Sequence, residues 1–316
     1  VWITSSLDTI KTPAFVALGN FDGIHQGHQQ VIRPILGHTY ATVLTFCPHP
    51  QEFFTGKQRA LLTPRDEKAQ YLQELGVQQL VLLPFNQTLA NLTPQEFVEE
   101  ILVRRLQAKQ ISVGQDFCFG KQRSGTTLDL QTIAAQHGIE VQIAPLFVHN
   151  GERISSSAIR QALEQGNLSY ANQLLGRSYR LIGQVNPGQQ LGRTIGFPTA
   201  NLKLPPEKFV PRQGVYSVWV YRRSQPNPTP LPGVMNIGRR PTVNGTSQTI
   251  EVHLLDWSGD LYGETLSVSL ESFLRPEQKF SSLEDLKAQI QTDCESARSQ
   301  LAHARPQPQL MQKTYD

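Results

Sequence analysis

Apolar and polar positions in the first half of the chain follow two alternating habits. Short apolar runs at residues 14–18, 41–46, 79–83 and 111–113 are separated by longer stretches in which apolar residues recur every three or four positions. The first habit belongs to strands buried on both faces and the second to amphipathic helices, so the pattern predicts a parallel sheet with helices on its faces. Residues 65–75 carry Ala69, Leu72 and Leu75 at helical spacing, with Thr63 read as the cap ahead of Pro64. Thr93-Pro94-Gln95-Glu96 reads as a capping box that opens a helix through Leu106. Cys47-Pro48-His49-Pro50 closes the second strand, because two prolines forbid its continuation.

Near Arg177 the pattern changes. Apolar and aromatic runs at 179–185, 214–221, 231–237, 250–257 and 266–270 follow one another between turn residues, without intervening amphipathic helices. This predicts an antiparallel sheet closed into a small barrel and a domain border at Arg177, giving domains 1–176 and 177–305. Residues 224–232, with four prolines, read as an exposed hairpin loop. Ser281 and Glu284 read as the capping box of a final helix with an apolar stripe of Leu283, Leu286, Ile290, Ala297 and Leu301. The polar, proline-containing tail 306–316 is expected to be disordered.

Composition narrows the choice of ligand. The 316 residues hold 39% apolar residues, enough for two cores, and Lys+Arg 29 against Asp+Glu 26 leaves a net charge of only +3. That balance argues against a nucleic-acid partner and leaves small anions open. Cys47, Cys118 and Cys294 are far apart and form no Cys-x-x-Cys pair, as expected of reduced thiols. Residues 1–10 lack a basic then apolar leader pattern, and no apolar run reaches membrane-spanning length. The expectation is a cytoplasmic protein without a membrane partner.

The most informative stretch is Gly19-Asn20-Phe21-Asp22-Gly23, followed by His25, Gly27 and His28, at a strand-to-helix turn. Gly23 and Gly27 let the backbone bend close to a ligand, and N–H groups at a helix start attract negative charge. His25 and His28, three apart, share one face of the first turn and can converge on one anion. A plain tight turn of a parallel sheet with solvated histidines is one alternative, and a metal site of Asp22, His25 and His28, lacking a third imidazole or a thiolate nearby, is another. Ser155, Ser156 and Ser157, with Arg160 one turn further on, form either a second anion cradle or an ordinary helix cap. His49 is either a base or a constrained loop residue. The aromatic alternation in Val113-Gly114-Gln115-Asp116-Phe117-Cys118-Phe119-Gly120 fits a loop beside a flat ring or two core phenylalanines.

In the second half, Gly188, Gly192 and Gly196 precede Phe197-Pro198-Thr199-Ala200-Asn201. On extended backbone Thr199 and Asn201 project to one side, and their neutral, hard oxygens suit magnesium. In Ile250-Glu251-Val252-His253-Leu254, periodicity alone places Glu251 and His253 on a solvated face.

These motifs carry a resemblance. The glycine turn with His25 and His28, Thr45-Phe46-Cys47-Pro48-His49-Pro50, the 113–120 segment and Ile154-Ser155-Ser156-Ser157-Ala158-Ile159-Arg160 resemble the motifs of bacterial FAD synthetases, members of the nucleotidylyltransferase superfamily. Cys47, where an acidic residue is usual, Cys118 and Thr126 depart from that pattern. Gly192-Arg193-Thr194-Ile195-Gly196-Phe197-Pro198-Thr199-Ala200-Asn201 resembles the riboflavin kinase signature, as do Gly214-Val215-Tyr216, residues 233–238, Leu261-Tyr262-Gly263 and Leu274-Arg275-Pro276-Glu277; Pro187 replaces a common histidine. The order is that of bifunctional riboflavin kinase/FAD synthetases. The resemblance implies a Rossmann-like α/β nucleotidylyltransferase domain followed by an antiparallel β-barrel flavokinase domain with a C-terminal helix. It implies riboflavin, FMN and ATP as substrates, with magnesium held by Thr199 and Asn201. It further implies Glu251 as the kinase base, His25, His28 and Arg160 as clamps on ATP, and Asp116 and Arg275 near flavin. Gly19, Asn20, Phe21, Asp22, Gly23, Ser155, Ser156, Ser157, Gly188 and Gly192 would then line the nucleotide sites. A chain with the kinase alone, or a non-catalytic flavin sensor, is the competing expectation.

Overall fold

The apolar runs of the first half become a six-stranded parallel sheet in the computed structural model, which describes residues 1–149, 151–188, 191–225, 228–242, 245–304 and 306. By internal packing the chain forms two units, Val1–Ser156 and Ser157–Asp316.

In the first unit β1 (Trp2–Thr4), β2 (Phe15–Leu18), β3 (Ala41–Cys47), β4 (Gln79–Pro84), β5 (Gln110–Gly114) and β6 (Glu140–Ala144) lie in the order β1-β4-β3-β2-β5-β6. Connecting them are α1 (Gln26–Ile32), α2 (Pro50–Thr55), α3 (Arg65–Glu74), α4 (Gln87–Asn91), α5 (Pro94–Phe97) and α6 (Thr127–Ala135). Alternate residues of β2 serve opposite faces. Val16 and Leu18 pack with Leu102 and Ile111, whereas Ala17 packs with Ile32, Val43 and Leu72. The direction of winding reverses between β2 and β5, so a crevice opens beyond their carboxyl ends. The glycine turn follows β2 there, and Asp116 follows β5.

Several local expectations shift. The Thr93–Glu96 capping box is present, but from Val98 to Arg105 the backbone continues as a π-helix. Pro64, not Thr63, occupies the cap position of α3, and Thr63 makes no capping bond because it is bound to the glycine turn instead. Thr126, a departure from the family pattern, caps α6 through a reciprocal bond pair with Asp129. A short hairpin, β7 (Val148–His149) and β8 (Glu152–Arg153), precedes α7 (Ser156–Gln165) and α8 (Leu168–Leu175).

The second unit is a closed barrel, in the order β10-β13-β12-β11-β14-β9. Its strands are β9 (Tyr179–Asn186), β10 (Ala200–Lys203), β11 (Gly214–Arg222), β12 (Leu231–Thr242), β13 (Gly245–Leu254) and β14 (Thr265–Arg275), with a single-turn α9 (Leu191–Thr194) before β10. Helix α10 (Leu283–His303) covers Val215, Val234 and Leu255 with Cys294 and Ala297. Its cap is Ser282, which accepts from the Asp285 N–H at 3.1 Å, one residue later than the sequence suggests; Leu283 is accordingly outside the apolar stripe and exposed. Helix α8 is tied to the barrel by Asn172, whose side chain accepts from the Tyr179 N–H at 2.7 Å and donates to the Leu270 carbonyl at 3.0 Å. The border predicted at Arg177 therefore falls after two helices that pack with the barrel. The expected disorder of 306–316 falls on residues that, beyond Pro306, lie outside those described.

Candidate active sites

The glycine turn of the first unit is held by buried side chains from three directions. Phe21 and Ile24 adopt φ +48° and +41° and Gly23 φ +91°, a left-handed backbone that only fixed surroundings sustain in the two non-glycine residues. The Phe21 ring lies under Gly19, where a Cβ would come within 3.1 Å of it, so any larger residue would press the ring aside by a few tenths of an ångström. Beyond it the rings continue: Phe21 meets His28 edge-on at 5.4 Å, and His28 stacks on His25 at 3.5 Å between centroids.

His25 is the cap residue of α1. Its Nδ1 accepts the His28 N–H at 3.2 Å, so one helix-start donor is already satisfied by the protein. An accepting Nδ1 requires the proton on Nε2, which makes that atom a donor of fixed direction. The Asp22 carboxylate is buried and accepts the Thr63 N–H at 3.1 Å. Among the described residues no group of three His, Cys, Asp or Glu side chains is placed to hold a metal, Asp22, His25 and His28 included. Ser156 Oγ donates to the Asp22 carbonyl at 2.8 Å, joining Ser156 to the turn. Ser157 and Arg160 belong to the second unit, where the Arg160 guanidinium lies 5.9 Å from the Phe209 ring centre.

His49 caps α2: Nδ1 accepts from Gln51 and the His49 N–H donates to Glu52 at 3.0 Å, as a constrained loop residue would. Burial pulls its pKa below the usual histidine value, and Arg59 adds to the effect. Asp116 forms an ion pair with Arg153, both half-exposed. Phe119 is buried in the core against Phe97, the structural alternative for that aromatic alternation.

In the second unit Glu251 on β13 has Asn201 on β10 as its direct partner, and Asn236 on β12 on its other side. Directly opposed residues present side chains to one face, so a carboxylate stands between two amides. Asn186 on β9 extends the row beyond Asn201. Gly188 lies against the Asn201 amide so closely that a Cβ there would overlap it, and a Cβ at Gly192 would overlap the Phe197 carbonyl oxygen and come within 3.3 Å of Thr199 Oγ1. Gly188 and Gly192 thus lie close to the two predicted metal ligands. His253, two residues from Glu251, is fixed by a 2.8 Å bond between Nδ1 and the Pro198 carbonyl.

A cavity of about 280 Å³ opens beside this row, lined by Val185, Thr199, Val252, Leu254, Trp257 and Tyr262 among others; Glu251 is not part of its lining. Trp257 and Asp260 also line this cavity, and no local motif marks either of them. Arg275 points into the fold: Nε and Nη2 donate to Asp293 of α10, at 2.8 Å and 2.7 Å, and Nη1 donates to the Pro276 carbonyl.

Comparison with known proteins closes the argument for the family. Residues 7–158 match the FAD synthetase family and residues 175–301 the riboflavin kinase family. A bifunctional riboflavin kinase/FMN adenylyltransferase of Escherichia coli strain K12 is 43% identical over 297 residues, 92% of this chain and 94% of that protein. The chain belongs to the bifunctional riboflavin kinase/FMN adenylyltransferase family. Members from Haemophilus influenzae and Bacillus subtilis are 40% and 35% identical, over 90% and 91% of this chain and 93% and 92% of their own. A crystal structure described as a macrolide-efflux protein from Streptococcus pneumoniae superposes with a TM-score of 0.83 at 33% identity, covering 94% of this chain and 98% of that one. Among the described residues no helix of the present chain is long and apolar enough to cross a membrane. The family's architecture is the one observed, a Rossmann-like domain and then an antiparallel barrel with its C-terminal helix.

Proposed function

We propose that the chain phosphorylates riboflavin to FMN in its second domain and adenylylates FMN to FAD in its first, with functional domains 1–176 and 177–305. The observation that carries this reading is the position of Glu251 directly beside Asn201, a proton acceptor next to a phosphate-metal ligand. The ribityl 5′-hydroxyl is a neutral, poor nucleophile. Glu251 accepts its proton as the new O–P bond forms and the bond from the γ-phosphorus to ADP breaks. Thr199 and Asn201 supply the hard oxygens that would hold magnesium, which neutralises phosphate charge when bound; Gly188 and Gly192 seat the loop against them. The apolar cavity bordered by Thr199 and Trp257 suits the nucleoside of ATP. Arg275 is assigned to the flavin side by resemblance alone, its guanidinium being held by Asp293 of α10.

Adenylylation makes a different demand. The FMN phosphate is already an anion, so no base is required. What remains is to hold charge on the α-phosphate and on departing pyrophosphate. The Nε2–H of His25, with His28 stacked on it, serves the first need; Gly19, Asn20, Phe21 and Gly23 shape the turn around it, with Asp22 holding it from within. Ser155, Ser156, Ser157 and Arg160 serve the outer phosphates, and Asp116 lies toward the flavin. The kinase-only reading drew on Cys47 and Thr126, yet Thr126 is fully employed as the cap of α6. Free thiols at Cys47, Cys118 and Cys294 accord with a cytoplasmic setting. Incubating the chain with riboflavin, ATP and magnesium and separating products over time tests the proposal: FMN appears first and FAD follows. Flavin that binds but is never converted would make the chain a sensor.

A further inference from the structure

Neither Thr63, just ahead of α3, nor Lys68, within it, has a catalytic role so far, yet both grip the glycine turn. Thr63 is bound to the turn twice: its hydroxyl accepts the Gly23 N–H at 2.9 Å, and its own N–H donates to Asp22 Oδ1 at 3.1 Å. Five residues on, Lys68 sends a buried side chain under the turn, where Nζ donates to the Asn20 carbonyl at 2.8 Å. Thr45 Oγ1 donates to the same carbonyl at 3.1 Å. A trans peptide is planar, so drawing the Asn20 carbonyl inward turns the Phe21 N–H to the opposite side. Phe21, between these anchors, and Ile24, directly after the last, are the turn's two non-glycine residues with left-handed backbone, which relaxes when the anchors are lost.

A buried ammonium is also a costly way to secure one carbonyl. Burial pulls the Lys68 pKa below the ordinary lysine value while the charge of Asp22 pulls it back, and a neutral residue would hold a merely structural turn without that conflict. We infer that Thr63 and Lys68 are positioning residues of the adenylylation reaction, fixing the Asn20–Gly23 backbone in the conformation that receives the phosphates of ATP. The inference rests on the reading of this turn as the adenylylation site. It assigns no contact between either residue and substrate. Both act through the turn, so their loss is felt in the transition state, where charge and geometry are most demanding, more than in ground-state binding.

The test uses the full chain and follows two reactions, FAD from FMN and ATP, and FMN from riboflavin and ATP. Lys68→Met and Thr63→Val should each lower kcat for FAD formation by about tenfold or more, while KM for FMN and ATP moves by less than about threefold. Thr63→Ser, which keeps the hydroxyl, should stay within about twofold of the parent, and FMN formation should hold in all three. The Thr63 pair differs from the parent by single groups and decides the matter should Lys68→Met fold poorly. Unchanged kcat in Thr63→Val, or a rise in KM alone, overturns the inference. His25→Ala separates the two levels: if it slows FAD formation while Thr63→Val leaves kcat unchanged, the inference fails and the site stands. If FAD formation survives His25→Ala as well, the site assignment itself fails.

Discussion

Asn201 on β10 and Glu251 on β13 are direct cross-strand partners, and Asn236 on β12 stands on the far side of Glu251. Cross-strand pairing fixes the three side chains on one face without help from any loop. A carboxylate held there needs no conformational step to meet a hydroxyl delivered beside Asn201. Glu251→Gln keeps the shape and removes the proton acceptor. It should lower riboflavin phosphorylation by roughly 10²- to 10⁴-fold while FAD formation from added FMN stays at the parent rate.

Gly188 gives a steric test of the same site. A Cβ at this position would overlap the Asn201 amide, so Gly188→Ala must push that amide aside or shift the loop. The expected outcome is a kinase with a raised magnesium requirement, read by titrating the metal at saturating ATP. Gly196, whose Cβ would meet nothing, has φ +89°, so an alanine there is strained by its backbone and makes a poor control.

Much of this was legible in the chain because the signals are local. Apolar runs bounded by Gly and Pro located the core strands of both units, since such runs must be buried and cannot continue through a proline. What escaped depends on distant partners. Thr63 has the composition of a cap, but its bonds go to Asp22 and Gly23, some forty residues earlier, and nothing in the local sequence records them. Strand β10 has four residues, and only Ala200 and Leu202 are buried, too short a pattern to register as an alternation. The π-helical stretch 98–105 carries ordinary helix-forming residues, so its wider winding left no mark in the sequence. Arg275 was assigned to the flavin by motif, whereas its charge partner Asp293 sits in a helix read only for its apolar stripe.

The Arg275–Asp293 pair predicts a stability effect independent of catalysis. Asp293 is buried and Arg275 nearly so, so Arg275→Leu leaves an uncompensated carboxylate beneath α10. The change should destabilise the barrel unit by roughly 3 kcal/mol, and adding Asp293→Leu should recover most of the loss. Denaturant unfolding of the single and double variants checks both statements.

Cys294 predicts an alkaline weakness in the same unit. Packed among Val215, Val234, Leu255 and Ala297, its thiol is pushed up by burial from 9.0 to about 11. Between those values the unfolded chain releases the proton and the folded chain keeps it, so the unfolded state binds fewer protons and stability falls as pH rises. The loss should approach roughly 2–3 kcal/mol by pH 11, with Tyr221, raised to about 12, extending the decline. Cys294→Val should flatten the slope between pH 9 and 11 in unfolding experiments at fixed ionic strength.

The division of labour between the units is tested most directly by one product analysis. Parent chain, His25→Ala and Glu251→Gln are each given riboflavin, ATP and magnesium, and flavins are separated over time, with a parallel series starting from FMN. The parent should yield FMN and then FAD. His25→Ala should stall at FMN, with FAD formation slowed by roughly 10²- to 10³-fold. Glu251→Gln should leave riboflavin unconverted yet make FAD from FMN. If either substitution abolishes both steps, or neither affects its own step, the assignment of one reaction to each unit is contradicted.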